Sequence, residues 1–91
     1  MQVILQIPTA LRHECGGRPE LELMATTVGE MFAELAQLHP RIYRSVCDET
    51  GAVRPHLHVF LNSQYLRTPE GFSSGLQSGD VLAIMTAVSG G

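Results

Sequence analysis

The 91-residue sequence predicts an α+β fold in which a mixed sheet of four to five strands packs on one main helix. Three observations predict this fold. Alternating apolar residues open and close the chain, one amphipathic helical stripe lies between them, and glycine or proline separates these segments. A chain of this length forms a single domain with a small core. We therefore expect a domain over residues 1–87, followed by a short tail over residues 88–91.

The first two strands are predicted from apolar alternation near the start of the chain. Gln2–Pro8 places three apolar residues on one face, namely Val3, Leu5 and Ile7. Glu20–Ala25 alternates leucine with glutamate, which is typical of a half-solvated strand. Between them, Thr9–Pro19 contains a glycine pair and ends on a proline, which favours a loop or a hairpin connection.

The main helix is the clearest element. Thr27 and Glu30 form a capping-box pattern, in which each side chain satisfies a backbone N–H group at the start of the helix. An apolar stripe follows at helical spacing and consists of Val28, Met31, Phe32, Leu35 and Leu38. Pro40 is expected to end the helix, because the residue before a proline is disfavoured in the helical region. Arg41–Cys47 is expected to add a short helical turn.

The second half of the sequence predicts three more strands. Their ranges are His56–Leu61, Tyr65–Arg67 and Asp80–Val88, separated by a turn at Asn62–Gln64 and a loop over Thr68–Gly79. A single amphipathic helix has to bury its stripe against one face of a sheet. With the first two strands joined as a hairpin, the first and last strands become central and parallel. This order of elements is the β-grasp arrangement.

Composition and charge exclude several classes of protein. The formal net charge is −3 and the six basic residues, all arginines, form no basic stripe, so nucleic acid is not expected as a partner. No apolar run approaches the ~20 residues that span a bilayer, so no membrane partner is expected. The sequence opens on a strand pattern without the charged region of a signal peptide. We expect a cytoplasmic protein with reduced thiols at Cys15 and Cys47.

The most distinctive feature is the final segment, Ser89-Gly90-Gly91. Glycine lacks a Cβ, so such a tip can enter a narrow channel and adopt backbone angles closed to other residues. The carboxylate of Gly91 is then the one group left to react, with Gly90, Ser89 and Val88 giving access to it. When extended, these four residues reach ~13–14 Å. A frayed chain end is the alternative interpretation.

The titratable residues form no convincing catalytic site. His56 and His58 place two imidazoles on one strand face, but no third metal ligand is obviously placed, since nothing in the sequence brings His13 or Cys15 beside them. We therefore expect neither a bound metal nor a cofactor held by the chain itself. Neither Cys15 nor Cys47 is expected to be catalytic. The sequence points to a carrier or substrate of other enzymes rather than to an enzyme.

Four segments carry a resemblance to a known family. They are Ile7–Arg12 after the first strand, Thr27–Glu30 at the helix start, Val59–Asn62 with Leu66 and Arg67 beyond it, and Gly79–Ile84 leading to Ala87–Gly91. With these segments the chain resembles, over essentially its whole length, the ubiquitin-like sulfur carriers of the MoaD/ThiS family. The resemblance implies a ubiquitin-like β-grasp fold. Thr86, where many relatives have proline, and the Thr68–Gly75 loop depart from the family pattern.

The resemblance also implies a chemistry that partner enzymes carry out. An E1-like enzyme uses ATP to adenylate the terminal glycine, here Gly91, and sulfur from a sulfurtransferase or desulfurase then displaces AMP and leaves a thiocarboxylate. A sulfur-acceptor enzyme takes that sulfur into a metabolite. By analogy with ubiquitin-like proteins, the sheet face opposite the helix is expected to dock these partners through Ile4, His58, Phe60, Ala83 and Met85. The alternative is that some of these side chains pack under loops.

The details of the sequence look most like the branch that supplies sulfur for cysteine biosynthesis. Its acceptor is a pyridoxal-phosphate (PLP)-dependent sulfhydrylase, and a metalloprotease trims the product. Close relatives feed siderophore-type sulfur metabolites, and some carry residues after the glycines that a protease removes. Two alternatives stay open. The first alternative is a molybdopterin synthase small subunit. The second is a ubiquitin-like modifier joined through Gly91 to a lysine of a target protein.

Overall fold

The computed structural model describes residues 1–86 and confirms the predicted α+β fold. Ala87 and the expected tail over residues 88–91 lie outside the described residues. The strands are β1 (Gln2–Gln6), β2 (Glu20–Met24), β3 (Leu57–Leu61), β4 (Gln64–Leu66) and β5 (Val81–Thr86). The helices are α1 (Val28–Leu38) and α2 (Pro40–Val46), with 3₁₀ helices over Thr9–Cys15 and Glu70–Ser73.

The five strands form one mixed sheet in the order β2-β1-β5-β3-β4. β1 runs parallel to β5, and the other neighbouring pairs are antiparallel. The first and last strands are therefore central and parallel, as the sequence predicts. Because they run in the same direction, their C-terminal ends meet at one end of the sheet. The chain thus leaves the sheet beside the residues that follow β1.

The helices cover one face of the sheet and enclose a single apolar core. Leu5 and Leu82 on the two central strands are fully buried, as are Met31 and Leu35 of α1. Leu38 is a correction to the predicted stripe, because its side chain is 56% exposed. It lies on the last turn of α1, about 60° around the helix from Leu35, at the margin of the buried stripe.

The N-terminus of α1 is capped as the sequence predicts, with one difference. The N–H of Glu30 donates to Oγ1 of Thr27 at 3.1 Å, which satisfies one free donor of the first turn. The carboxylate of Glu30 accepts instead from Thr26, whose hydroxyl and N–H donate at 2.6 and 3.0 Å. These two bonds hold the pKa of Glu30 below its ordinary value.

Pro40 both ends the first helix and begins the second. The predicted short turn over Arg41–Cys47 is the helix α2, which starts at Pro40 itself. Proline suits this first helical position because its fixed φ is already helical and its missing N–H would have no partner there. Ile42 and Val46 of α2 are fully buried, so this helix belongs to the core layer and is more than a surface turn.

The segment between β1 and β2 was expected to be a loop or hairpin and contains a 3₁₀ helix. This helix ends at Gly16, whose φ of 72° lies in the left-handed region that favours glycine. β1 ends at Gln6, before the expected Pro8. The next residue, Ile7, donates its N–H to the carbonyl of Pro19 at 2.8 Å, but a proline cannot donate in return. Nε of Arg12 donates to the Ile7 carbonyl at 3.0 Å instead.

Asn62 connects the β3–β4 turn to the start of β5. It occupies a two-residue turn with Ser63, and both have positive φ, of 49° and 72°. Nδ2 of Asn62 donates to the carboxylate of Asp80 at 3.0 Å, and Oδ1 accepts the N–H of Val81 at 2.9 Å. The N–H of Gln77 also donates to Asp80, at 2.8 Å. The bonds from Gln77 and Asn62 hold the pKa of Asp80 below its ordinary value.

We expect the Asp80→Asn variant to lose less stability than the wild type when the pH is lowered. The folded pKa of Asp80 is lowered, so the unfolded chain binds more protons at low pH. Its stabilisation is fully present above the ordinary pKa of 3.8 and is lost as pH falls through the lowered folded value. Thermal unfolding from about pH 7 to about pH 2 measures this, and the Tm of the variant should fall less steeply than that of the wild type.

At neutral pH the Asp80→Asn variant should melt a few degrees below the wild type, since it loses a charge-assisted bond. Glu49→Gln removes an exposed carboxylate elsewhere and is the matched control, expected to follow the wild type. If the Tm of the Asp80→Asn variant and that of the wild type fall equally as the pH is lowered, the hydrogen bonds of Asp80 do not stabilise the folded state in the way proposed.

Candidate functional site

The face of the sheet turned away from the helices, here called the open face, carries the five predicted docking residues. Four are half-buried and Met85 is 52% exposed. The strand registers place them together, because His58 pairs with Met85, Phe60 pairs with Ala83, and Ala83 in turn pairs with a residue of β1. Ile4 lies on the same face of β1, opposite Val81. Their role in docking stays a prediction.

An aromatic cluster forms the β3–β4 border of the open face. Tyr65 is 57% exposed, and its ring centroid lies 5.5 Å from that of His58 and 5.8 Å from that of Phe60. Both pairs are edge-to-face, the favoured geometry for such rings. Sequence reasoning missed Tyr65 as a site residue. The turn at Asn62 and Ser63 was the signal that places it opposite Phe60.

The centre of the open face contains a shallow depression of about 580 Å³. Its lining residues are Gln6, Phe60, Asn62, Ser63, Val81, Ala83 and Met85. Ala83 lies at the middle, because it pairs with Gln6 on β1 and with Phe60 on β3. None of the lining side chains carries a charge. The depression is therefore suited to an uncharged group.

Two carboxylates lie at the opposite border of the open face. Glu20 and Glu22 are exposed on β2 and project from the same face as Gln6 and Ile4, with which they pair. Nε2 of Gln2 donates to Oε2 of Glu22 at 2.6 Å. The open face is thus aromatic at one border, uncharged at its centre and acidic at the other border.

A groove of about 460 Å³ lies where the chain leaves the sheet. Residues at the ends of β1 and β5 line it, together with Pro8, Arg12 and Glu20, and Thr86 lies at its border. The bond from Nε of Arg12 to the Ile7 carbonyl fixes the guanidinium at this end of the sheet. The four predicted tail residues lie outside the described residues and are Val88, Ser89, Gly90 and Gly91.

The part of the chain that the structure describes contains no cluster of side chains that would form a metal site. No three His, Cys, Asp or Glu side chains of residues 1–86 come together as metal ligands. β3 begins at Leu57, so His56 precedes the strand that carries His58. Within the same residues, neither helix has the length and apolar character needed to cross a bilayer.

Neither cysteine is fully exposed. Cys47 is buried, and this burial raises the pKa of its thiol to about 11, so at neutral pH it stays protonated. Cys15 is half-buried, and its thiol donates to the carbonyls of Arg12 and Arg18 at 3.5 and 3.4 Å. Reactive thiols need thiolate character and access, which Cys47 lacks.

Known proteins are similar to this chain in sequence and fold over nearly their whole length. The sequence profile of the ThiS family matches residues 5–91. The sulfur carrier protein CysO of Mycobacterium tuberculosis is 27% identical over 93 residues, with all of both chains covered. A chain in the crystal structure of the Amycolatopsis orientalis BexX/CysO complex is 30% identical, with a TM-score of 0.83 over 98% of this chain and 99% of that one. The small archaeal modifier protein 1 of Methanosarcina acetivorans is 25% identical, with a TM-score of 0.79 over 99% and 96%.

Proposed function

This chain belongs to the ThiS family, and on that premise we propose that it is a sulfur carrier protein whose reacting group is the carboxylate of Gly91. The observation that carries the proposal is the full-length match to a sulfur carrier, with a family match that extends to the last glycine. The chain is then a substrate of its partner enzymes.

Two steps convert the carboxylate into a sulfur donor. In the first, a carboxylate oxygen of Gly91 attacks the α-phosphorus of ATP on an E1-like enzyme, which releases pyrophosphate and gives an acyl adenylate. In the second, the terminal sulfur of a persulfide on a sulfurtransferase or desulfurase attacks the carbonyl carbon, and a thiol then cleaves the S–S bond of the resulting acyl disulfide, which frees the thiocarboxylate and leaves the thiol and the donor cysteine as a disulfide. A C–S bond forms, the C–O bond to the phosphate breaks, and AMP leaves with the electron pair. The partners supply the acid–base groups for both steps.

The folded domain contributes binding and presentation. The open face, with its apolar centre, is the proposed docking surface for the activating enzyme, because exposed apolar patches of this kind mark interaction sites. The tail reaches ~13–14 Å beyond residue 87 when extended, so it can enter an active site while the domain stays outside. Gly90 supplies the clearance that a side chain would deny.

The relatives point to the destination of the sulfur. The name of the mycobacterial relative, CysO, supports a role in cysteine biosynthesis, with a PLP-dependent sulfhydrylase as acceptor and a metalloprotease that trims the product. A siderophore-type metabolite or molybdopterin is the alternative destination. We place this chemistry in the cytoplasm, where thiols such as those of Cys15 and Cys47 stay reduced.

A second function has an observation in its favour. The likeness to the Methanosarcina acetivorans modifier supports conjugation of Gly91 to an amine of a target protein. The sequence contains no lysine, so lysine-linked chains between copies cannot form and conjugation would join the protein to other targets. Both functions share the acyl adenylate and differ in the nucleophile that attacks it.

One experiment separates these functions. The purified chain is incubated with an E1-like adenylating enzyme of its source organism, ATP and a sulfide donor, and its intact mass is measured. A carrier gains the mass difference between sulfur and oxygen. A modifier instead appears in covalent conjugates of higher mass when target proteins are present. If ATP produces neither an adenylate nor either product, both functions are wrong.

A further inference from the structure

The sequence contains six arginines and no lysine, and the fold places several of these arginines around the point where the chain leaves the sheet. We propose that arginine at these positions protects the activated C-terminus from capture by its own chain, because no side chain within its reach carries a primary amine. The inference assigns this role to Arg12 and Arg67. It rests on the proposed function, since the group to be protected is the acyl adenylate of Gly91.

The strand directions bring Arg12 and Arg67 to the same end of the sheet. β1, β4 and β5 run in one direction, so the residues that follow each of them lie where the chain leaves the sheet. Arg67 follows β4 directly, and the register across β3 sets it level with Met85, two strands or roughly 10 Å away. Arg12 lies on the other side, in the groove that Thr86 borders. The two arginines therefore flank the exit of the chain.

A third arginine lies at this end as well. The carbonyl of Arg54 accepts the N–H of Leu57 at 3.0 Å, and Leu57 pairs with Thr86 at the end of β5. At the opposite end of the sheet, the β3–β4 turn and the turn over residues 77–80 contain no arginine. Positive charge is therefore placed where the chain leaves the sheet, and at each of these positions lysine would supply the same charge.

The difference between the two residue types is chemical. Arg67 is exposed, so packing does not require arginine there. A lysine amine would attack the carbonyl carbon of the Gly91 adenylate: a C–N bond forms, the C–O bond to the phosphate breaks, AMP leaves with the electron pair and the amine releases a proton to water. The product is a closed ring that has no carboxylate left to accept sulfur. A guanidinium stays protonated and keeps the charge without this reaction.

The short length of the chain after Thr86 makes such a capture competitive. Residues 87–91 span at most ~18 Å when extended, and the groove of Arg12 begins at Thr86 itself. Two groups joined by a short linker meet at an effective concentration of roughly millimolar. A lysine beside the exit would therefore compete with a sulfur donor that has to bind from solution.

The parallel pairing of β1 with β5 keeps the α-amino group of Met1 out of reach. Ile4 pairs with Val81, so Met1 lies three residues before this level and Thr86 lies five residues beyond it. At the rise of a strand, Met1 and Thr86 are about 26 Å apart along the sheet. This separation exceeds the ~18 Å that residues 87–91 can span. The tail of one molecule therefore does not reach its own Met1 amine.

The decisive variants are Arg12→Lys and Arg67→Lys, with Ser78→Lys as the matched control. Ser78 is exposed at the opposite end of the sheet, where the N–H of Gly79 donates to the Gln2 carbonyl at 2.8 Å. Each chain is incubated with the E1-like enzyme and ATP, without a sulfur donor, and its intact mass is measured. We expect a product one water lighter than the free chain to be about tenfold or more abundant in the two exit variants than in Ser78→Lys, and absent from the wild type.

Fragmentation of the lighter product should locate the new amide between Gly91 and residue 12 or 67. Arg12→Gln removes the charge without adding an amine and should form no ring, which separates the two changes. If both exit variants are folded by their Tm and form no more ring than Ser78→Lys, the proposal is wrong. Ring closure onto Met1 in the wild type would also overturn it. Failure of the proposed function looks different, because the wild-type chain would then form no adenylate at all.

Discussion

Deletion of Gly91 is expected to lower the rate of adenylation by about 100-fold or more while leaving the folded domain intact. The shortened chain ends on Gly90, so its carboxylate stops one residue, about 3.5 Å, short of the reacting phosphorus. A misplacement of about 1 Å already costs about 100-fold in well-oriented reactions. The assay is ATP–pyrophosphate exchange with the E1-like enzyme, followed by the intact mass after sulfide is added.

A matched variant separates the reach of the tail from its glycine content. Inserting one glycine after Val88 in the Gly91 deletion restores the length but ends the chain on Ser89-Gly90. Recovery of the rate would show that reach dominates, whereas continued loss would show that the penultimate residue must lack a Cβ. Should the simple deletion keep more than about half of the wild-type rate, Gly91 is not the reacting residue and the carrier function is wrong.

Leu5→Ala is expected to cost about 3–4 kcal/mol of the free energy of unfolding. Leu5 is fully buried on the central strand β1, where it pairs with Leu21 on one side and Leu82 on the other. Rigid neighbours on both sides prevent the cavity from collapsing. In a protein of this size the loss lowers Tm by about 15 °C or more. Urea unfolding followed by circular dichroism measures it.

The adjacent residue Ile4 is the matched control, since its side chain points to the open face and is half-buried. Ile4→Ala should cost only about 1 kcal/mol, because less apolar area leaves water there on folding. The order of the two effects should reverse in partner binding. Ile4→Ala should weaken the complex with the activating enzyme, whereas Leu5→Ala, while folded, should not. Equal losses of stability would contradict the assignment of the two faces of β1.

The parts of the fold that a short stretch of sequence determines, such as a strand or the start of a helix, were predictable. The alternation in Glu20–Met24 specifies a strand with one buried face, and Thr27 with Glu30 specifies the start of α1. Pro40 shows where prediction from a local pattern stops being unique. A proline is disfavoured inside a helix and favoured at its first turn, so the same residue ends α1 and begins α2. The sequence predicts a helical turn after Pro40, but it does not show that the helix starts at Pro40 itself or that it packs Ile42 into the core.

The candidate site was predictable only in part, because it depends on register between strands that are distant in sequence. Alternation alone assigns Phe60 and Ala83 to the same face, and the structure places them there. It does not show that Ala83 stands between Gln6 and Phe60, since β1 and β5 are about 75 residues apart. The depression over the alanine and the position of Tyr65 follow from this pairing. The role of Gly91 lies outside the described residues and stays a proposal.

The central position of β5 has a mechanical consequence. An enzyme that draws the tail into its active site pulls on the end of β5, along the direction of the strand. β5 is hydrogen-bonded to β1 on one side and to β3 on the other, so this pull loads two ladders in shear. Bonds loaded in shear share the force and must break together, whereas those of an edge strand peeled sideways break one at a time. A central strand held on both sides in this way is expected to resist a pull applied at its C-terminal end.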